Sequence, residues 1–234
     1  MAGRIAYYGG IVTNGLVLNL DAAKRDSYPG SGTAWRDISG QSYNSTLTNG
    51  PTFNTDNGGS IVFDGTNDTV QLNSATTFGS PSNISINIWV RYTNFLNSDL
   101  GRALFRASNQ SENVGFSLYQ ATGAPFNRVK GYVNVAAGLN VLDTSTLLNT
   151  NQWYFMTMTY NSSQLIIYIN GVSEASSSSS GGIVWPSPAR IPQLGEMFGS
   201  YFAGRIAQTT LYNRALSATE VLQNYNATKG RYGL

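Results

Sequence analysis

Hydrophobic and polar positions alternate most clearly over residues 84–93. Ile84, Ile86, Ile88, Val90 and Tyr92 fall on one face; Ser85, Asn87, Trp89 and Arg91 fall on the other. A period of two is that of a strand with one buried face, and Trp89 on the second face implies that this side is covered or presents an aromatic. Residues 153–160 carry apolar groups on both faces and predict a further strand. The turn Asn161-Ser162-Ser163, the β-rich run 165–169 and the pair Asn170-Gly171 follow. Asn-Gly accepts the positive φ angles of a type I′ hairpin, so this window predicts three antiparallel strands in succession. Residues 15–20, 61–63, 69–72 and 206–211 read as further strands, with 61–63 and 69–72 paired in a hairpin around the turn-rich stretch 64–68. Residues 176–180 with Gly181-Gly182 read as a flexible polar loop.

One helix is signalled near the end of the chain. Ser217-Ala218-Thr219-Glu220 fits a capping box, and Leu216 with Val221 fits the hydrophobic staple around it. The helix is expected to run to about Tyr225 and to pack across an edge or end of the strand layers. Short apolar runs punctuated by Gly, Asn, Ser and Thr, without a long internal repeat, predict a single all-β sandwich of two antiparallel sheets.

Composition narrows the chemistry. The 234 residues contain no cysteine and no histidine. That excludes disulfides, thiol nucleophiles, zinc held by Cys or His, and Ser-His-Asp catalysis. Charged residues make up 11% and the net charge is +2, which argues against a nucleic-acid partner, since phosphate neutralisation needs clustered cations. Eleven arginines against three lysines fit protein interfaces, where the guanidinium fork makes several hydrogen bonds, or a dispersed solubilising surface. No run reaches the roughly 18 apolar residues of a membrane span, and the first ten residues lack a signal-peptide pattern. A soluble protein made in the cytoplasm, without membrane insertion, is therefore expected.

Five stretches in order resemble the concanavalin A-like lectin/glucanase superfamily, in its laminin-G-like branch. They are Gly15-Leu16-Val17-Leu18-Asn19-Leu20-Asp21-Ala22; Trp35-Arg36-Asp37-Ile38-Ser39-Gly40; Ile61-Val62-Phe63-Asp64-Gly65-Thr66-Asn67-Asp68; residues 153–160 with Tyr168-Ile169-Asn170-Gly171; and Gly204-Arg205-Ile206 followed by Leu211-Tyr212-Asn213-Arg214-Ala215-Leu216-Ser217. The resemblance implies a jelly-roll sandwich over residues 15–234 with one concave sheet, preceded by an arm of residues 1–14. Residues 10–18, together with Ser27-Tyr28-Pro29-Gly30-Ser31-Gly32, look most like structural proteins of tailed bacteriophages. That likeness implies a non-enzymatic virion protein, as a capsid decoration or a tail or fibre component. Its partners would be other virion proteins in an oligomer or assembly. The alternative is an adhesion module that binds host-surface glycan.

Candidate residues follow from these classes. Glycoside hydrolysis usually needs two carboxyl groups about 5–9.5 Å apart. The four glutamates, Glu112, Glu174, Glu196 and Glu220, have no acidic neighbour two or four residues away, so no catalytic pair is expected. Relatives of the laminin-G type often hold calcium, and Asp64, Asn67 and Asp68 supply hard oxygen ligands. The same residues are turn formers, and Ala207 and Gln208 follow Gly204-Arg205-Ile206 where relatives often carry acids. The turn role is favoured, and no cofactor is expected. Sugar binding would use aromatic rings beside polar groups; the candidates are Trp89, Trp185, Tyr119, Tyr132 and Tyr201. Trp35 and Trp153 belong to fold motifs and are assigned to packing. Ile5, Tyr7, Tyr8 and Ile11 would dock the arm on a neighbouring subunit or on its own sandwich.

Overall fold

The computed structural model describes residues 9–95, 101–108 and 114–234. In chain order the strands are β1 (Leu16–Asp21), β2 (Ala34–Trp35), β3 (Ser45–Thr48), β4 (Thr52–Asn54), β5 (Ser60–Asp64) and β6 (Thr69–Leu72). They continue with β7 (Ile84–Tyr92), β8 (Arg102–Ser108), β9 (Gly115–Gln120), β10 (Val129–Val135), β11 (Gly138–Asp143) and β12 (Trp153–Tyr160). The last are β13 (Gln164–Ile169), β14 (Val172–Ser178), β15 (Gln193–Leu194), β16 (Glu196–Met197), β17 (Ser200–Tyr201) and β18 (Ala203–Tyr212), followed by helix α1 (Ala218–Thr228).

Among the described residues these strands form two eight-stranded antiparallel sheets and one small hairpin. The first sheet runs β14-β13-β12-β7-β18-β5-β4, with β1 also paired to β18; the second runs β11-β10-β9-β8-β15-β6-β3-β2. Between them lies one apolar core, in which Leu18, Ile86, Ile88 and Met156 from the first sheet meet Phe105, Phe116, Leu118 and Val133 from the second. The alternation of β7 does what period two requires: Ile84, Ile86, Ile88, Val90 and Tyr92 enter this core. The predicted succession of three antiparallel strands is β12, β13 and β14.

Three expectations need correction. The runs 61–63 and 69–72 are strands but not a hairpin: β5 lies in the first sheet and β6 in the second, so the loop 64–68 carries the chain across the sandwich. Both runs are apolar on the face that meets the core, and two facing sheets bury them as well as one would. The serine run at 176–180 is not wholly a loop, because Val172–Ser178 forms an edge strand. Its exposed face needs no apolar alternation, so nothing in the pattern marks it. Helix α1 lies over the outer face of the first sheet rather than across an edge. The outer-face residues Trp89, Trp153 and Phe155 are too apolar to stand in water and need a cover.

That cover is well built. Ser217 caps α1 with the expected box, its hydroxyl accepting the Glu220 N–H while the Glu220 carboxylate accepts the Ser217 N–H. Arg214 adds two bonds to the Glu220 carboxylate, at 2.9 and 2.6 Å. Together these interactions hold the Glu220 pKa at about 2. The helix runs past the predicted Tyr225 to Thr228, and a 3-10 turn, Lys229–Tyr232, continues it. Thr228 Oγ1 accepts the Trp89 indole N–H at 2.8 Å, and Tyr232 seals a cluster with Trp89, Trp153 and Phe155.

Candidate functional site

With α1 over the first sheet's outer face, the outer face of the second sheet is open along its flanks, at Ala34 and Val141, while its centre, at Gln193, Arg106, Ser117 and Tyr132, is buried. Register places one residue from each strand in a line across it: Ala34, Thr46, Gln71, Gln193, Arg106, Ser117, Tyr132 and Val141. The line is polar through its centre, because these side chains alternate with core residues such as Leu47, Val70, Leu194 and Phe105. The β16–β17 hairpin folds over it beside β8 and is pinned by a single carboxylate. Glu196 accepts from Arg106 at 2.9 Å, from the Gly199 N–H at 2.7 Å and from the Gln193 amide. Arg106 is buried, and its guanidinium lies 5.2 Å from the centre of the Phe198 ring. Arg102 donates to the Tyr201 carbonyl at 2.8 Å, and burial lowers the Arg102 pKa. Phe198 and Tyr201 are half-buried, and Phe198 keeps its part-exposed ring against Arg106.

The predicted aromatic platforms fall in three places. Tyr119 and Tyr132 come together on the open face, ring centres 6.1 Å apart, but both are buried in a cluster with Ala103 and Met197. The packing there is close: a Cβ at Gly101 would stand 2.3 Å from Tyr119 Cδ2. Tyr201 lies on the hairpin beside them. Trp89 is on the opposite side of the molecule and fully buried under Tyr232, so it offers no ring to a ligand. Trp185 is half-buried against Phe78 and Phe116 and donates its indole N–H to the Pro81 carbonyl at 2.9 Å; it closes one end of the core. Sequence reasoning missed Arg106, Gln193, Glu196 and Phe198. Their signal is weak, because β8 and β15 bury both faces and β16 and β17 are two residues each.

The carboxylates on the open face are engaged. Glu196 pairs with Arg106, and Asp143 pairs with Arg128 at 3.1 Å and Lys130 at 3.5 Å. Three strand spacings, about 14 Å, separate β11 from β8, more than the reach of a hydrolytic pair. In the loop 64–68, the Asp64 N–H donates to Asp68 Oδ2 at 2.9 Å and the Thr66 N–H donates to Asp64 Oδ1 at 2.7 Å. The Asn49 amide donates to the Asn67 carbonyl at 3.0 Å. Asp68 is buried, and burial raises its pKa. Calcium takes six to eight oxygens. This loop offers two carboxylates already accepting backbone N–H groups, and among the described residues no three His, Cys, Asp or Glu side chains gather around a metal position. The residues do not fit the ion.

The leading residues are tied to α1. The Val12 N–H donates to Asn224 Oδ1 at 2.7 Å, Tyr212 donates to the Val12 carbonyl at 2.8 Å, and Gln223 donates to the Gly10 carbonyl at 3.1 Å. Ile11 is half-buried beside this anchor. Ile5, Tyr7 and Tyr8 lie outside the described residues.

Fold and face define a lectin-like sandwich. The chain belongs to the laminin-G family Laminin_G_3 of the concanavalin A-like lectin/glucanases superfamily, whose sequence model matches residues 64–222. No curated protein sequence matches the chain. Among solved structures it is similar to the binding domain of Paraclostridial Mosquitocidal Protein 1, with TM-score 0.71 and 18% identity, covering 92% of this chain and 52% of that one. It is similar to the binding domain of Botulinum Neurotoxin DC in complex with SialylT, with TM-score 0.71 and 14% identity, covering 93% and 52%. It is also similar to Domain 4 of AbnA, a GH43 extracellular arabinanase from Geobacillus stearothermophilus in complex with arabinotriose, with TM-score 0.69 and 16% identity, covering 90% and 98%. The chain thus spans about half the length of the toxin domains and nearly all of the arabinanase domain. At these identities the likeness defines the fold.

Proposed function

We propose that the chain is a non-enzymatic glycan-binding module whose ligand lies on the outer face of the second sheet, beside the β16–β17 hairpin. One observation carries this reading. A polar line crosses this face, and at its centre the Arg106–Glu196–Gln193 cluster fixes a hairpin that carries two part-exposed aromatic residues, Phe198 and Tyr201, with half-buried Thr46 and Gln71 further along the line. Sugars are held by apolar ring contact plus a few oriented hydrogen bonds, and the face offers both. Two solved neighbours support the class: the arabinanase domain was solved with arabinotriose, and a toxin binding domain with SialylT. The test is a glycan array with the native chain and with Tyr201→Ala and Phe198→Ala. Specific binding lost in both variants supports the reading; no binding to any glycan overturns it.

A second reading concerns where the module acts. We propose that it is carried on the virion of a tailed bacteriophage, made in the host cytoplasm, with its leading residues attaching it to other virion proteins. The support is the resemblance of residues 10–18 and 27–32, together with the anchoring of Gly10 and Val12 on α1. The family match and the solved neighbours do not bear on this. Mass spectrometry of purified particles should find the chain at a fixed copy number; its absence would overturn the reading.

A further inference from the structure

A cleft of about 170 Å³ lies between the segment that follows β1 and the segment that follows β4, away from the open face. Tyr28 and Phe53 form its apolar wall, with ring centres 5.2 Å apart and tilted by 43°. Tyr28 is buried and locked by its hydroxyl donating to the Gly32 carbonyl at 2.7 Å. Thr55 and Arg25 are exposed on the rim. Gly30 and Gly58 line the cleft at φ of +96° and +83°, which keeps the entrance free of side chains. A cavity of about 150 Å³ accommodates one benzene ring, so this cleft admits a single six-membered ring and little more.

Charge identifies the ring's substituent. The two carboxylates behind the cleft are already neutralised: Asp56 by Arg205 at 3.1 Å and Asp21 by Arg231 at 2.9 Å. Among the described residues Arg205 Nε and Arg231 Nη2 are nevertheless buried without a hydrogen bond, and Arg91 lies directly opposite Arg205 in the β7–β18 register. Like charges set opposite each other across strands are unfavourable, and they leave the region behind residues 53–58 positive. Among the described residues the Arg25 guanidinium on the rim has no ion-pair or hydrogen-bond partner, and Lys24, Arg25 and Asp26 together carry one net positive charge. A guanidinium on the rim of a cleft with an aromatic wall matches a planar anionic group on an otherwise apolar-faced ring.

We infer that this cleft is a second binding site, for one pyranose ring carrying a single carboxylate or sulfate, with the ring against Phe53 and Tyr28 and the anion on Arg25. The inference stands apart from the open-face reading. Saturation-transfer NMR on the full chain would use sodium glucuronate, glucose 6-sulfate and neutral methyl glucoside as probes. At least one anionic sugar should bind and the neutral one should not; the two anionic arms decide between carboxylate and sulfate. Arg25→Gln, at an exposed position, should weaken binding by about tenfold, the loss of one charge-assisted contact. Tyr201→Ala on the open face should leave it unchanged. Equal binding of the neutral sugar, no binding of either acid, or indifference to Arg25→Gln would each overturn the inference.

Discussion

Tyr232 stacks on Trp89 with ring centres 4.0 Å apart and planes 28° apart. The pair joins the end of the chain to the middle strand region of the first sheet, and Trp153 completes it at 4.7 Å from Tyr232. Tyr232→Ala would leave a void between two tryptophans and is expected to cost about 3 kcal/mol. The Tyr232 hydroxyl is buried without a hydrogen bond among the described residues. Tyr232→Phe should therefore leave stability within about 1 kcal/mol of native, or raise it. Urea unfolding followed by tryptophan emission would measure both.

Glu220 ties the helix cap to Arg214. Its folded pKa, at about 2, lies below the ordinary 4.5, so the stabilisation is complete above about pH 4.5 and is lost as pH falls through 2. Both side chains remain about a quarter to a third exposed, 27% and 29%, so solvent screening limits the contribution to about 1 kcal/mol. Glu220→Gln keeps a capping amide and removes the charge. Its thermal midpoint should be lower than native at pH 7 and converge with native toward pH 2.

Tyr212 works in the opposite direction. Burial raises its pKa from 10.0 to about 12, so its stabilisation is present below pH 10 and disappears as pH rises through 12. Tyr212→Phe loses the bond to the Val12 carbonyl and should cost about 1.5 kcal/mol at neutral pH. Its stability should fall less steeply than native between pH 10 and 12, and hydrogen exchange at Val12 should accelerate.

Glu196 is the keystone of the open face. Glu196→Ala strands the buried Arg106 guanidinium and frees the Gly199 N–H. It is expected to cost about 3 kcal/mol and to abolish the glycan binding proposed for this face. Glu196→Gln retains an acceptor and should cost less. Chemical denaturation of the two variants alongside native would separate lost charge from lost geometry.

The loop 64–68 offers a check on the calcium question. Burial and the neighbouring Asp64 charge both raise the Asp68 pKa, so the fold disfavours the ionised form. Asp68→Asn keeps an acceptor for the Asp64 N–H and should leave stability unchanged within about 0.5 kcal/mol or increase it. Added calcium or a chelator should not move the melting temperature of either protein; a calcium-dependent rise in native that Asp68→Asn removes would show an ion here.

Legibility followed the strength of local signals. The alternation at Ile84–Tyr92 and the Ser217–Glu220 box are local chemistry, and both elements were readable from the chain. The sheet assignment of β5 and β6 was not, because which sheet an apolar strand joins is decided by partners far away in sequence. The open face was only partly visible. Tyr119 and Tyr132 pack together on that side of the sheet, with Tyr201 on the neighbouring hairpin, but β8 has apolar or closely packed residues on both sides, which erases the alternation that would have placed Arg106. Trp89 illustrates the converse: an aromatic on the polar side of an alternating strand can mark a second layer of packing rather than a ligand platform.

Strand β14 ends the first sheet, and among the described residues no strand pairs with its outer edge. Val172–Ser178 carries four serines and Glu174 in seven positions, and hydrophilic or charged borders of this kind discourage a stray chain from adding another rung. Copies crowded side by side on a common support could therefore stand close together without zipping into continuous aggregates.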